Sequence, residues 1–312
     1  MTIPTPYQVV VIGGGTMGAD VAIVFARGGY PTQVIESNVD RCASIPGYVN
    51  QVMSESGYAC DPHLVSVVPT MHDINWTNVK LVVECIPERL DSKKTLFAEL
   101  EQCVNTDTIL ASNSSSFPIS AISEGLKTAH RMIGLHFFMP AHLIPCVEVV
   151  YGSQTNHAIA QQLTELMTSC AMVPVQVKKD LPGFLANRLQ HALSREAFAM
   201  IDAGIATPED IDKAVRFGFG FRYLAAGPVM QRDHAGIEIH AAAGASIYPS
   251  LNNAPTIAKS LDDRVKANHL GMKTGQGFFK WTPETIQIER KRYDNILKQG
   301  LQIIQNEIPK IK

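Results

Sequence analysis

His136 and Glu148 stand twelve residues apart, each in a short apolar run, "HRMIGLHFF" and "IPCVEVVYG", with the link "MPAHL" between them. An imidazole titrates near neutrality and can take the proton of an alcohol. A neighbouring carboxylate can fix the ring and stabilise the imidazolium. If the two runs are paired strands, these side chains meet across the ladder. A second constellation lies upstream, in "VVVIGGGTMGADVAIVFARGGYPTQVIESN". There Gly13, Gly15 and Gly18 separate an apolar run from an amphipathic one, and Glu36 ends the next apolar run.

A glycine loop between a strand and a helix can hold a pyrophosphate. Gly13 permits the tight turn, Gly15 lets backbone approach the phosphates, and Gly18 allows close packing of helix on strand. The helix start adds unpaired N–H groups and a positive dipole end. Glu36 can accept hydrogen bonds from both ribose hydroxyls of NAD, and its charge repels the 2′-phosphate of NADP. The expected cofactor is therefore NAD. Arg41, in the following helix, reads as a solvated residue. FAD shares the fingerprint, but the other segments that flavoproteins use are not found. A base beside a nicotinamide site implies hydride transfer from an alcohol.

The elements that position these groups follow from periodicity. "YQVVVIG", "TQVIES", "LVSVVP", "KLVVECIP" and "DTILASNSS" read as strands, separated by helical patterns. One of these, "DSKKTLFAELEQCV", puts Leu96, Leu100 and Val104 on one side. Such alternation predicts a doubly wound, Rossmann-type α/β sheet. "VPVQVKKD" is a last strand. After "DLPGF" the pattern is helical almost throughout, beginning with "LANRLQHALSREAFAMIDAG", which Gly204 closes. Thr207 and Pro208 fit the cap and first position of the next helix. The expected domains are an NAD-binding domain over 1–180 and an all-helical domain over 181–312.

Composition narrows the class. The 312 residues are 46% hydrophobic and 18% charged, with a formal net charge of −2. No global field draws the protein to nucleic acid or anionic lipid. No run of about 18 apolar residues predicts a membrane span. The N-terminus "MTIPTPYQVVVIGGG" lacks the basic start and apolar core of a secretion signal. Six scattered cysteines (42, 60, 85, 103, 146 and 170) form no CxxC pair and read as reduced core residues of a cytoplasmic protein. His234 and His240 are six apart, which does not fit a metal-binding pair on a helix, and no metal is expected.

The segments "VVVIGGGTMGADVA", "VVECIPERLDSKKTLF", "ASNSSS", "GLHFFMPAHLIPCVEVV", "DLPGFLANRL" and "GMKTGQGFFKW" occur in the order of the 3-hydroxyacyl-CoA dehydrogenase family, which the chain resembles over nearly its whole length. The resemblance implies an NAD-binding Rossmann domain and a helical dimerisation domain, hence a homodimer. It places a catalytic histidine–glutamate dyad at His136 and Glu148, with Ser115 and Asn187 assisting at the substrate oxygen. It places NAD contacts on Gly13, Gly15, Thr16, Met17, Gly18, Glu36, Glu88, Lys93 and Asn113. Taken alone, Ser115 and Asn187 are also residue types that cap helices. His142, in the link between the dyad strands, is a candidate substrate contact and also fits a solvent-facing loop.

Three departures bear on the substrate. Met139 stands in "HFFMP" where the family usually has asparagine. The segment after Glu36, "SNVDRCASIPGYVNQVMSESGYACDPHLVS", is short and carries one arginine and no lysine, whereas the phosphates of CoA call for cations. Arg222, in "GFGFRYLAAGP", is similar to an arginine of the small-substrate relatives, the L-gulonate 3-dehydrogenase (lambda-crystallin) and L-carnitine dehydrogenase branch. A guanidinium fork can hold a carboxylate. The tail over 282–312 also resembles that branch and reads as a helix packing on the other domain or a partner subunit. The expected reaction is NAD-dependent oxidation of a small L-3-hydroxy acid. The alternatives are a short-chain 3-hydroxyacyl-CoA dehydrogenase and a non-catalytic NAD-binding protein.

Overall fold

The computed structural model describes residues 8–55 and 61–311. Cys60 and the first seven residues, on which the reading of the N-terminus rests, lie outside them.

The first half of the chain runs β1 (Gln8–Ile12), α1 (Thr16–Arg27), β2 (Thr32–Ile35), α2 (Val39–Glu55), β3 (Val65–Val68), β4 (Val79–Glu84), α3 (Leu90–Cys103), β5 (Ile109–Ser112) and α4 (Ile119–Ile122). Then come β6 (Met132–Phe137), β7 (Cys146–Tyr151), α5 (His157–Ser169) and β8 (Val173–Val177). The eight strands form one sheet in the order β3-β2-β1-β4-β5-β6-β7-β8. All neighbours are parallel except β6 and β7, which are antiparallel. The residues between Phe137 and Cys146 are too few for a crossover helix, so the chain turns back on itself there.

Side-chain alternation sends β1 into two cores. Val9 and Val11 join a cluster with Val21, Phe25 and other residues of α1, while Val10 and Ile12 join one with Phe97 and Leu100 of α3. Both faces of the sheet are covered, which is why its strands read as continuous apolar runs. Each fully buried valine or leucine side chain contributes about 1.5–3 kcal/mol. On α3, Leu100 is buried, and Leu96 and the following Val104 pack against the same core. The most buried positions of that helix are Lys93, Phe97 and Leu100. Strand order reverses between β1 and β4, and in such sheets ligands bind at the carboxyl ends of the strands flanking the reversal.

The chain forms two compact units. One ends at Asn187 and takes in the residues from Gln305 onward, and the other is Arg188–Ile304. α6 (Ala186–Asp202) bridges the division in sequence and stops before Gly204, whose φ is +66°. Beyond it are α7 (Pro208–Lys213), α8 (Met230–Ala235), α9 (Ile237–Ile247), α10 (Lys259–Lys266) and α11 (Pro283–Ile303), with no strand among them. The Thr207 side chain accepts from the Asp210 N–H at the start of α7, with Pro208 in the first turn. Among the described residues no helix is long and apolar enough to cross a membrane. Among the described residues five cysteines are free; Cys170 is buried, but Cys103 is exposed at the end of α3, so it is not a core residue.

Candidate active site

The glycine loop joins β1 to α1 and borders a cavity of about 480 Å³. Its walls come from the loop (Gly13, Gly15), the end of β2 (Glu36) and the segment after β4 (Cys85, Ile86). A Cβ on Gly13 would lie 2.8 Å from the Cys85 carbonyl oxygen, and φ there is +102°. A Cβ on Gly18 would lie 1.8 Å from the Gly13 oxygen, so backbone packs directly on backbone. A Cβ on Gly15 would meet nothing within 4 Å, which leaves that stretch of backbone open to a ligand. Glu36 is buried, its Oε2 accepting from Gly14 N–H at 3.0 Å and its Oε1 from Asn38 N–H at 2.7 Å. These donors hold the carboxylate at the cavity wall, where both oxygens keep lone pairs for ribose hydroxyls. Thr16 and Met17 line the same cavity. The site fits NAD.

Arg41 also lines this cavity, its Nε 3.8 Å from Glu36 Oε2, although its side chain is more than half exposed. Its exposure agrees with a solvated residue, but residue type alone gives no sign that it borders the cavity. Its place five residues after the ribose acid, in the first turn of α2, is the signal that could have found it.

A buried carboxylate network stands behind the loop. Lys93 is 1% exposed, with its Nζ 2.6 Å from Glu84 and 3.2 Å from Glu88. Glu84, wholly buried, also accepts from Ile86 N–H and the Ser112 hydroxyl. Glu88 Oε1 accepts from the Ser114 and Ser116 hydroxyls and from the Ser115 and Ser116 N–H groups. Burial pushes the Glu88 carboxyl up, but hydrogen bonds from Ser114 and Ser116 and the Lys93 charge bring it down to about 2. Glu88 therefore fixes the loop that carries Ser115. The Lys93 ammonium faces Glu84, Glu88 and, at 3.4 Å, the Ile86 carbonyl.

The register of β6 on β7 sets His136 directly opposite Glu148. Nδ1 of His136 lies 2.7 Å from Glu148 Oε2, with both side chains buried. Glu148 Oε1 accepts from the N–H groups of Leu185 and Ala186, at 3.0 and 2.8 Å, where α6 begins. Burial raises the Glu148 carboxyl, yet hydrogen bonds from His136 and those two amides bring it below its ordinary value. The His136 ring lies 4.7 Å from the ring of Phe138 and 5.6 Å from that of Phe184, both edge-on. Phe184 is buried with φ +50°, a left-handed conformation that costs a non-glycine residue about 1–2 kcal/mol.

Two further residues tie the dyad to the cofactor side. Asn113 Oδ1 accepts from the N–H of Phe137, next to His136. Asp20 of α1 is wholly buried, accepting from Tyr48 OH and, at 2.9 Å, from the N–H of Ala141 in the link between β6 and β7. His142 Nδ1 is 3.0 Å from Asp20 Oδ1, an ion-pair distance, but that nitrogen makes no hydrogen bond among the described residues. Asn187 Nδ2 reaches the Ser115 carbonyl at 3.3 Å, which brings those two together. Arg222 is exposed, in a 3-10 turn over Phe219–Leu224 of the second unit. Asp20, Phe184 and the two amides have no motif to announce them. The only local signal is the "PGF" turn just before α6.

Comparison with known proteins agrees with this architecture. Residues 8–181 match the model of the 3-hydroxyacyl-CoA dehydrogenase NAD-binding domain, and 183–281 that of its C-terminal domain. The chain is 32% identical over 293 residues to 5-formyl-3-hydroxy-2-methylpyridine 4-carboxylate 5-dehydrogenase of Mesorhizobium japonicum, covering 91% of this chain and 95% of that one. A crystal structure of an enzyme of that name, described as an NAD+-dependent dismutase, superposes with a TM-score of 0.91 at 29% identity, over 96% of this chain and 98% of the other. The (S)-3-hydroxybutyryl-CoA dehydrogenase of Ralstonia eutropha is 25% identical with a TM-score of 0.71, over 89% and 100%.

Proposed function

Because the chain belongs to the 3-hydroxyacyl-CoA dehydrogenase family and is an NAD-dependent dehydrogenase, we infer that it oxidises a small L-3-hydroxy acid to the keto acid, with His136 as general base. The observation that carries this reading is the 2.7 Å contact between His136 and Glu148. With Nδ1–H donated to the carboxylate, Nε2 is the nitrogen left to accept the hydroxyl proton. Glu148, held anionic, then stabilises the imidazolium. Ser115 and Asn187 supply groups for the substrate oxygen, and Glu88 keeps the Ser115 loop in place. NAD, held by the glycine loop and Glu36, supplies the hydride acceptor.

Two observations support a small acid over a CoA thioester. The fold follows a pyridine carboxylate dehydrogenase over nearly its full length, and follows the hydroxybutyryl-CoA enzyme less well. The stretch from Ser37 to Ser66 carries one arginine and no lysine for the phosphates of CoA. Arg222 is our candidate for the substrate carboxylate and His142 for a further contact. A short-chain 3-hydroxyacyl-CoA is the second reading, favoured by the likeness to the Ralstonia enzyme. A homodimer formed through the second unit fits the exposed Leu193, Phe217, Phe221 and Ile239 there, and free cysteines suit a reducing cytoplasm.

The test is NADH formation from gulonate, carnitine, 3-hydroxybutyrate and a pyridine hydroxy acid, set against 3-hydroxybutyryl-CoA. Turnover of free acids is expected, and His136→Ala should lower kcat by about 10²–10⁴-fold. Turnover of the thioester alone overturns the small-acid reading. Undiminished activity of His136→Ala overturns the dyad.

A further inference from the structure

We propose that Phe184 is the positioning residue of the dyad, its left-handed backbone aiming the Leu185 and Ala186 N–H groups at Glu148 while its ring braces the His136 imidazole. The inference rests on the dyad reading above and adds to it a residue that acts through both members of the pair.

Glu148 is 1% exposed. A buried carboxylate accepts hydrogen bonds at both oxygens or suffers for the lack. One oxygen faces His136 and the other receives two amides from one short stretch of chain. These two successive N–H groups follow directly on a sharp turn of the chain. Gly183, at φ +78°, and Phe184, at φ +50°, make that turn. Glycine adopts such angles freely, whereas a phenylalanine needs its surroundings to hold it there. The Phe184 N–H donates to the Leu181 carbonyl at 2.9 Å, and its ring is buried in the core on the α3 side of the sheet. The same ring lies edge-on to His136, so side chain and backbone constrain the two members of one pair.

The effect reaches proton affinity. Amides that share the carboxylate charge weaken its hold on the imidazolium proton. Without them the pair takes up its proton at higher pH, as a coupled unit. Among the described residues, Cys146 on β7 also bears on Glu148. Burial first, and Glu148 second, push its thiol up to about 11, so it stays neutral throughout.

Phe184→Gly and Phe184→Ala separate the two roles, since both lack the ring and only glycine accepts the left-handed angle without cost. With the best substrate of the panel, Phe184→Gly is expected to lower kcat about tenfold with the acid limb of kcat/KM unmoved and NAD affinity unchanged. Phe184→Ala should in addition move that limb up by about one pH unit. Wild-type kcat and pH profile in Phe184→Gly would overturn the bracing role, and identical limbs in the two variants would overturn the aiming role. If Phe184→Ala does not bind NAD and so has not folded, Phe184→Gly decides alone, its wild-type behaviour overturning the proposal. His136→Ala, run alongside, tells the failures apart: if it stays active, the dyad reading itself is wrong.

Discussion

Replacing Lys93 with methionine keeps the length and apolar stem of the side chain and removes only the ammonium. Lys93 occupies the buried stripe of α3, and its charge answers Glu84 at 2.6 Å and Glu88 at 3.2 Å. In Lys93→Met, Glu84 would keep its neutral donors, Ile86 N–H and Ser112 Oγ, but lose its countercharge inside the protein. Breaking a buried pair from one side costs about 3–5 kcal/mol. Against a total stability of about 5–15 kcal/mol, that is a large fraction. At about 2–4 °C per kcal/mol for a domain of this size, Tm should fall by roughly 6–20 °C. Heat and urea unfolding without cofactor, followed by circular dichroism and fluorescence, read this directly. Glu84→Gln combined with Lys93→Met removes the uncompensated charge and should recover part of the loss. If Lys93 were a cofactor contact and nothing more, Lys93→Met would unfold within about 0.5 kcal/mol of wild type and lose only NAD affinity. That outcome would refute the reasoning.

Two further expectations follow from the site. Gly15→Ala adds a methyl where no atom lies within 4 Å, so it should fold as wild type yet weaken NAD binding about tenfold by calorimetry; unchanged affinity would mean that the cofactor does not approach that backbone. Glu88 titrates at about 2 in the folded protein against an ordinary 4.5, so its stabilisation is present above pH 4.5 and lost as pH falls towards 2. In urea unfolding, wild type should exceed Glu88→Gln most at neutral pH, with the gap closing across that window; a constant gap would place the effect elsewhere.

What could be read from the sequence was whatever leaves a periodic or spaced trace. The strand runs, the glycine loop with Glu36, and the cap at Thr207 are of this kind, because each depends on side-chain type at short range. The facing of His136 and Glu148 was legible as a possibility, since the short link forces an antiparallel turn, but the register that sets them opposite needed the whole ladder. Lys93 and Glu88 are legible only through the family resemblance, which makes them NAD contacts. That they are bound to Glu84 and the serine loop depends on burial, which charge alone does not report. The N–H groups on Glu148 belong to Leu185 and Ala186, whose side chains play no part, so residue type gave no sign of them. Phe184 in a left-handed conformation runs against local preference, and only the packing around it explains why it stays there.

Asp20 has a consequence for how the enzyme could diversify. Its one carboxylate accepts from Tyr48 of α2 and from the Ala141 N–H, and the second bond joins the helix leaving the glycine loop to the link between the dyad strands. It works as a spacer bar, setting the interval between cradle and base inside the sheet unit before any ligand arrives. Residues that select the substrate can then drift, trading a thioester for a free acid or a chain for a ring, without the reactive geometry having to be rebuilt each time.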